Sequence, residues 1–236
     1  LSSLPMTLRK GKSIPKPKTE TGHKNSPAYQ LTPEQQHTID AVDKKANQFQ
    51  CFLLQGVTGS GKTQVFSELI HRTIKRDRQV LLLVPEIGLT GQMVARIQDQ
   101  LEGELSVSHS GITVGVRTKA FVASAQGITD VLIGTRSALF TPMPKLGLIL
   151  VDEEHDGAYK NQEGCRYSAR DLAIVRAKHA SIPIVLSSAT PSLETWQQAE
   201  LGKYTRLRLS ARPRQQPQPI IRLIDARYDK PKDGMS

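Results

Sequence analysis

The sequence predicts an α/β fold, a mostly parallel sheet with helices on both faces. Three observations carry that expectation. Short runs of branched apolar residues recur along the chain, continuous enough for strands buried on both faces. Amphipathic stretches of helical length alternate with them, as strand–helix–strand crossovers require. One run opens directly into a glycine-rich loop, Gly56-Val57-Thr58-Gly59-Ser60-Gly61-Lys62-Thr63, and then into a helical pattern.

Residues 1–29 are rich in Lys, Ser, Thr and Pro and hold almost nothing that could bury a core, so they read as a flexible basic linker. A helix is expected after Thr32-Pro33, because Thr32 can cap, Pro33 suits the first turn, and Glu34 and Gln35 follow. Strands are expected at 51–54, 80–84, 131–133, 148–151 and 184–186. Helices are expected at 62–76, 89–102, 113–125, 168–179 and 192–201. Together they make one lobe over 30–209. Residues 210–236 turn basic and rich in Pro and Arg, and read as the start of a connection to a further lobe. A strand could begin at 220–225.

The 236 residues hold 32 Lys plus Arg against 22 Asp plus Glu, a net charge of +10, and 38% of them are apolar. The charge belongs to the flanks. Residues 1–30 are +5, residues 203–236 are +6, and the middle is −1. Basic tails attract polyanions without sequence preference. No apolar run approaches the roughly 18 residues of a membrane span, and no apolar stretch follows the basic N-terminus as in a signal peptide. Two cysteines, Cys51 and Cys165, exclude a disulfide framework and a four-cysteine zinc site. The expected location is the cytoplasm.

The loop at 56–63 has the spacing G-x-x-x-x-G-K-T between a strand and a helix. Its glycines let backbone N–H groups face inward around an anion, and the helix start adds positive potential there. Lys62 can reach β- and γ-phosphates, and the Thr63 hydroxyl can ligate Mg²⁺. The run at 148–151 ends in Asp152-Glu153-Glu154-His155-Asp156. Carboxylates at the carboxyl end of a parallel strand lie where open α/β sheets bind ligands. Asp152 is suited to hold Mg²⁺, and Glu153 to orient and deprotonate a water. Four carboxylates in five residues repel one another unless a cation is near. His155 has two readings, a site residue linking the γ-phosphate to other motifs or a surface imidazole.

These strings, with Ser188-Ala189-Thr190 after a buried strand, resemble motifs I, II and III of superfamily 2 helicases. Residues 85–90 (PEIGLT) resemble motif Ia and 133–140 (IGTRSALF) motif Ib. Within that superfamily, GVTGSGKT, PEIGLT, HSG, IGTRSALF, DEEHD and SATPSLET resemble the bacterial replication-restart helicases, over roughly residues 30–225. The resemblance implies a RecA-like P-loop domain and an ATP-dependent helicase moving 3′ to 5′ on single-stranded DNA, with Mg²⁺ as cofactor. Forked DNA, other primosome proteins and single-strand-binding protein are the implied partners.

It also implies roles. Gln35 reads adenine, and Gly56, Val57, Thr58, Gly59, Ser60, Gly61, Lys62 and Thr63 hold the phosphates. Lys62, Asp152, Glu153 and His155 are catalytic, with Thr63 and Asp152 on the metal. Thr90, Gln92, Thr135 and Arg136 line the DNA face. Tyr159, Arg166 and Tyr167 belong to a loop that senses DNA, while Ser188 and Thr190 link the two sites. This chain departs from the family at Cys165, Ser168 and Gly91, and in the segment around Val114, Val116 and Phe121. The second lobe with its arginine finger, the zinc insertion and the N-terminal DNA-binding domain have no counterpart, so the chain is expected to be a fragment.

Alternative readings are a small-molecule kinase, a GTPase, or a nucleotide- and DNA-binding module without turnover. Neither acceptor-site residues nor an Asn-Lys-x-Asp string is present. The module remains the competing reading.

Overall fold

The computed structural model describes residues 30–57, 59–85, 91–99, 101 and 103–210. The expected linker at 1–29, the connection at 210–236 beyond Ser210 with its possible strand at 220–225, and Thr58 and Thr90 lie outside the described residues, as does the side chain of Gln92.

Helix α1 (Pro33–Asp43) starts as its sequence dictates. Thr32 accepts from the Gln35 N–H, the Gln35 side chain accepts from the Thr32 N–H, and Pro33 occupies the first turn. Strand β1 (Gln50–Gly56) leads through the loop to α2 (Lys62–Ile74), and then come β2 (Gln79–Leu83) and α3 (Gly91–Asp99). Next are β3 (Leu105–Ser108), α4 (Val114–Ala125), β4 (Val131–Gly134) and a 3₁₀ turn over Arg136–Phe140. Strand β5 (Leu146–Val151) carries the acidic segment, a 3₁₀ turn over Gly157–Tyr159, and a small antiparallel pair, β6 (Lys160–Asn161) with β7 (Tyr167–Ser168). The described chain ends with α5 (Ala169–Ala180), β8 (Pro183–Ser188), α6 (Leu193–Glu200) and β9 (Thr205–Leu209).

Among the described residues the main sheet has seven strands in the order β3-β4-β2-β5-β8-β1-β9, and every neighbouring pair is parallel. The pleat divides each strand between two cores. Val80 and Leu82 face the layer of Ile39, Val65, Phe66, Leu69 and Ile97, while Leu81 and Leu83 face that of Ala169, Ala173 and Ala177. The second layer approaches closely because α5 presents an alanine every fourth residue, all three at 0% exposure. Among the described residues no helix is long and apolar enough to cross a membrane.

The sequence reading omitted two sheet strands, β3 and β9, which are its edges. Leu105-Ser106-Val107-Ser108 is half-buried throughout. Thr205-Arg206-Leu207-Arg208-Leu209 buries only its leucines. An edge strand is wetted on one side, so its pattern alternates rather than running continuously apolar. The arginines of β9 also discourage a further strand from adding there.

Candidate active site

Strands β5, β8 and β1 are neighbours, so their carboxyl ends bring together the acidic segment, Ser188-Ala189-Thr190 and the glycine-rich loop. The loop is shaped by its glycines. Gly59 and Gly61 have φ of +82° and +87°, and Gly61 caps α2 with no side-chain hydrogen bond. A Cβ on Gly56 would sit 2.5 Å from Ser60 Oγ, so only glycine lets the loop fold back on β1. The Ser60 hydroxyl is buried and has no hydrogen-bond partner.

Lys62 folds into the loop, donating to the Gly56 carbonyl at 2.9 Å and lying 3.3 Å from Glu153 Oε1. His155 Nδ1 is 3.6 Å from Glu153 Oε2 and 2.8 Å from Ser188 Oγ, and that hydroxyl accepts from the Thr190 N–H at 2.9 Å. A continuous polar chain therefore crosses all three strand ends. His155 is exposed, and its ring lies between Glu153 and Ser188. Glu153 has φ +43°, a left-handed conformation costly for a glutamate and typical of functional positions.

Asp152 Oδ1 accepts from the Ser187 hydroxyl at 3.2 Å and the Glu153 N–H at 3.1 Å. Burial, and then the Glu153 charge, raise its pKa above the ordinary value, against the pull of Lys62. A divalent cation would relieve that cost. Among the described residues no three His, Cys, Asp or Glu side chains are grouped to hold a metal. Mg²⁺ on a nucleotide needs no such group, since it keeps waters and takes one or two protein ligands beside the phosphates. Asp152, with Thr63 in the first turn of α2, fits that donor set.

Glu154 departs from the picture of four carboxylates sharing one cation. Its side chain is fully buried and faces away from the loop. It is 3.0 Å from Arg170 Nη1 and accepts from the Ser192 N–H at 2.8 Å and the Thr195 hydroxyl at 2.8 Å. Asp156 caps the following 3₁₀ turn through the Ala158 N–H. Only Asp152 and Glu153 remain for the loop. Burial lowers the Arg170 pKa, but its bonds to Asp171 and Glu154 outweigh this and hold it above the ordinary value. Sequence reasoning missed Arg170, Ser192 and Thr195, because nothing in a string announces which carboxylate turns inward.

Gln35 lies beside the loop. It is fully buried, its Oε1 accepts from the Thr32 N–H, and its Nε2 donates to the Ser60 carbonyl at 3.2 Å. Each end of the amide makes one of these bonds, so it braces the loop against the start of α1. Tyr159 is buried as well, at 2% exposure, with its hydroxyl 2.6 Å from the Asp152 carbonyl and 3.1 Å from that of Leu83. Burial pushes its phenol pKa well up, so it stays protonated as a donor. From there it holds the carboxyl ends of β5 and β2. Thr135 and Ser188 are buried too, whereas Arg136, Arg166 and Thr190 are exposed and Tyr167 is half-buried.

Residues 32–199 match the family model of the DEAD/DEAH box helicases, and the chain belongs to that family. Its relatives include the replication restart protein PriA of Bacillus subtilis, 38% identical over 84% of this chain and 25% of that protein. The PriA protein of Haemophilus influenzae is 48% identical over 70% of this chain and 22% of its own length. The chain thus spans about a quarter of the relatives it matches. The fold is similar to that of RecG bound to a three-way DNA junction, with a TM-score of 0.59 at 22% identity over 77% of this chain and 24% of that one. It is similar also to the DEAD-box helicase Mss116, with a TM-score of 0.55 at 17% identity over 76% of this chain and 40% of that one.

Proposed function

We propose that this chain is the ATP-binding lobe, over residues 30–209, of a replication-restart DNA helicase. Its family is that of helicases, its relatives are replication restart proteins, and the carboxyl ends of β1, β5 and β8 bring a glycine-rich loop, Lys62 and two carboxylates together, a set suited to a nucleotide. The observation that supports this most is the chain Lys62–Glu153–His155–Ser188, which joins three strand ends through contacts of 3.3, 3.6 and 2.8 Å.

In this reading Lys62 leaves Gly56 and Glu153 for the phosphates when nucleotide enters. Glu153, released, accepts a proton from the attacking water. Thr63 and Asp152 would hold Mg²⁺, which when bound neutralises charge on the phosphoryl oxygens. His155 and Ser188 carry the state of Glu153 toward Thr190. The resemblance assigns the DNA side to Thr90, Gln92, Thr135 and Arg136, with Arg166 and Tyr167 in the loop that senses DNA. Movement 3′ to 5′ along single-stranded DNA, work at forks, and contacts with primosome proteins or single-strand-binding protein belong to the whole protein. The proposed location is the cytoplasm, and no zinc is assigned to this chain.

The second reading is a nucleotide- and DNA-binding module with little turnover of its own. In related phosphoryl-transfer enzymes an arginine finger is worth roughly 10³–10⁵ in rate. Steady-state ATPase with and without single-stranded DNA, on this chain and Glu153→Gln, is the test. The expected result is slow hydrolysis, barely stimulated by DNA and lost in Glu153→Gln. Rapid DNA-stimulated turnover would contradict the single-lobe reading, and turnover unchanged in Glu153→Gln would contradict the site.

A further inference from the structure

Phe140 ends the 3₁₀ turn Arg136–Phe140 and is 58% exposed, although its neighbours Ala138 and Leu139 are buried at 1% and 3%. The turn is not loose. Arg176 of α5 donates to the carbonyls of Leu139 and Thr141 on either side of Phe140. A turn anchored in the core therefore holds a phenyl ring in solvent. A single exposed apolar side chain would need no explanation, but this ring is one half of a pair. Tyr167, from the β6–β7 hairpin, meets it edge-to-face with centroids 5.3 Å apart and planes at 78°. The two segments are also tied by Arg136, whose Nη1 donates to the Lys160 carbonyl.

Around the pair the charge is positive. Arg136, Lys160 and Arg166 are exposed, and none forms an ion pair among the described residues. The local acids are Glu163 at the hairpin tip, Asp171, which pairs with Arg170, and Glu194, whose carboxyl pKa is lowered by its own backbone and in smaller part by Arg170 and Lys160. The net charge of −1 over the middle of the chain thus hides a basic patch with an aromatic step in it. Unpaired cations suit phosphates, and an exposed ring face suits an unstacked base. A duplex hides its base faces, so the combination selects a single strand.

We propose that Phe140, braced by Tyr167, is a base-stacking step that grips single-stranded nucleic acid beside Arg136, Lys160 and Arg166. The proposal rests on the DNA-binding reading above and adds a residue and a mode to it. The test compares fluorescein-labelled oligo-dT with an abasic deoxyribose-phosphate strand of equal length, which keeps the charge and lacks the bases. The whole chain should bind oligo-dT more tightly. Phe140→Ala should weaken oligo-dT binding by between about fivefold and a hundredfold, the range of one base–aromatic stack, and leave abasic binding unchanged. Phe140→Trp should restore affinity, and oligo-dT should quench its indole beyond any change at Trp196 in the parent chain. The ring is exposed, so thermal unfolding should match the parent in both variants. Unchanged oligo-dT affinity in Phe140→Ala would overturn the stacking step and leave DNA binding standing. Failure of the parent chain to bind either strand would overturn both.

Discussion

Asp152 holds a carboxylate where water cannot solvate it well, and that has a consequence for stability. Its folded pKa is raised, by burial first and by Glu153 second. A raised carboxyl pKa means the charged form opposes folding above the folded pKa. The cost fades as pH falls toward the ordinary Asp range and vanishes below it, where both states are protonated. Asp152→Asn should therefore raise Tm at pH 7, and the gain should shrink on acidification through that window. Thermal melts of both proteins across pH check it, and a constant gain at all pH values would contradict it. Glu154 poses the opposite case, a fully buried carboxylate matched by Arg170. Arg170→Ala leaves that charge alone and should cost about 3–5 kcal/mol, read by urea unfolding. Lys62 and Glu153 were legible in the sequence, because spacing and strand context single them out. The contacts of Glu154, Gln35 and Tyr159 were not, since which way a polar side chain turns depends on partners far along the chain, such as Ser192 and Leu83.

At the scale of elements, α5 sits tight on the sheet through Ala169, Ala173 and Ala177. Ala173→Leu should overpack this layer and cost about 1–3 kcal/mol. Val175→Leu, on the exposed face of the same helix, should change stability by less than about 0.5 kcal/mol. Equal effects in denaturant unfolding would mean that α5 does not pack as described. Central strands and helices were legible because burial on both faces leaves continuous apolar runs. The edges β3 and β9 were not, since one wetted face breaks the run. Their alternation, Leu207 and Leu209 between Arg206 and Arg208, is the signal that a period-two reading would have used.

For the whole molecule, charge and chemistry lie in different places. Both flanks are basic, and the middle is near neutral with one local patch. Removing residues 1–29 and 211–236 should flatten the dependence of log DNA affinity on log salt. A slope of about 2 should remain, from three cations at about 0.7 each on a single strand. An unchanged slope would place the binding charge on the core instead. The central claim is that the carboxyl ends of β1, β5 and β8 form a nucleotide site in this chain alone. Equilibrium titration with a fluorescent ATP analogue and Mg²⁺ tests it most directly. The parent chain and Glu153→Gln should both bind, and Lys62→Ala should lose binding, since it removes the fixed cation that reaches the phosphates. Equal affinity in Lys62→Ala and the parent would contradict the account.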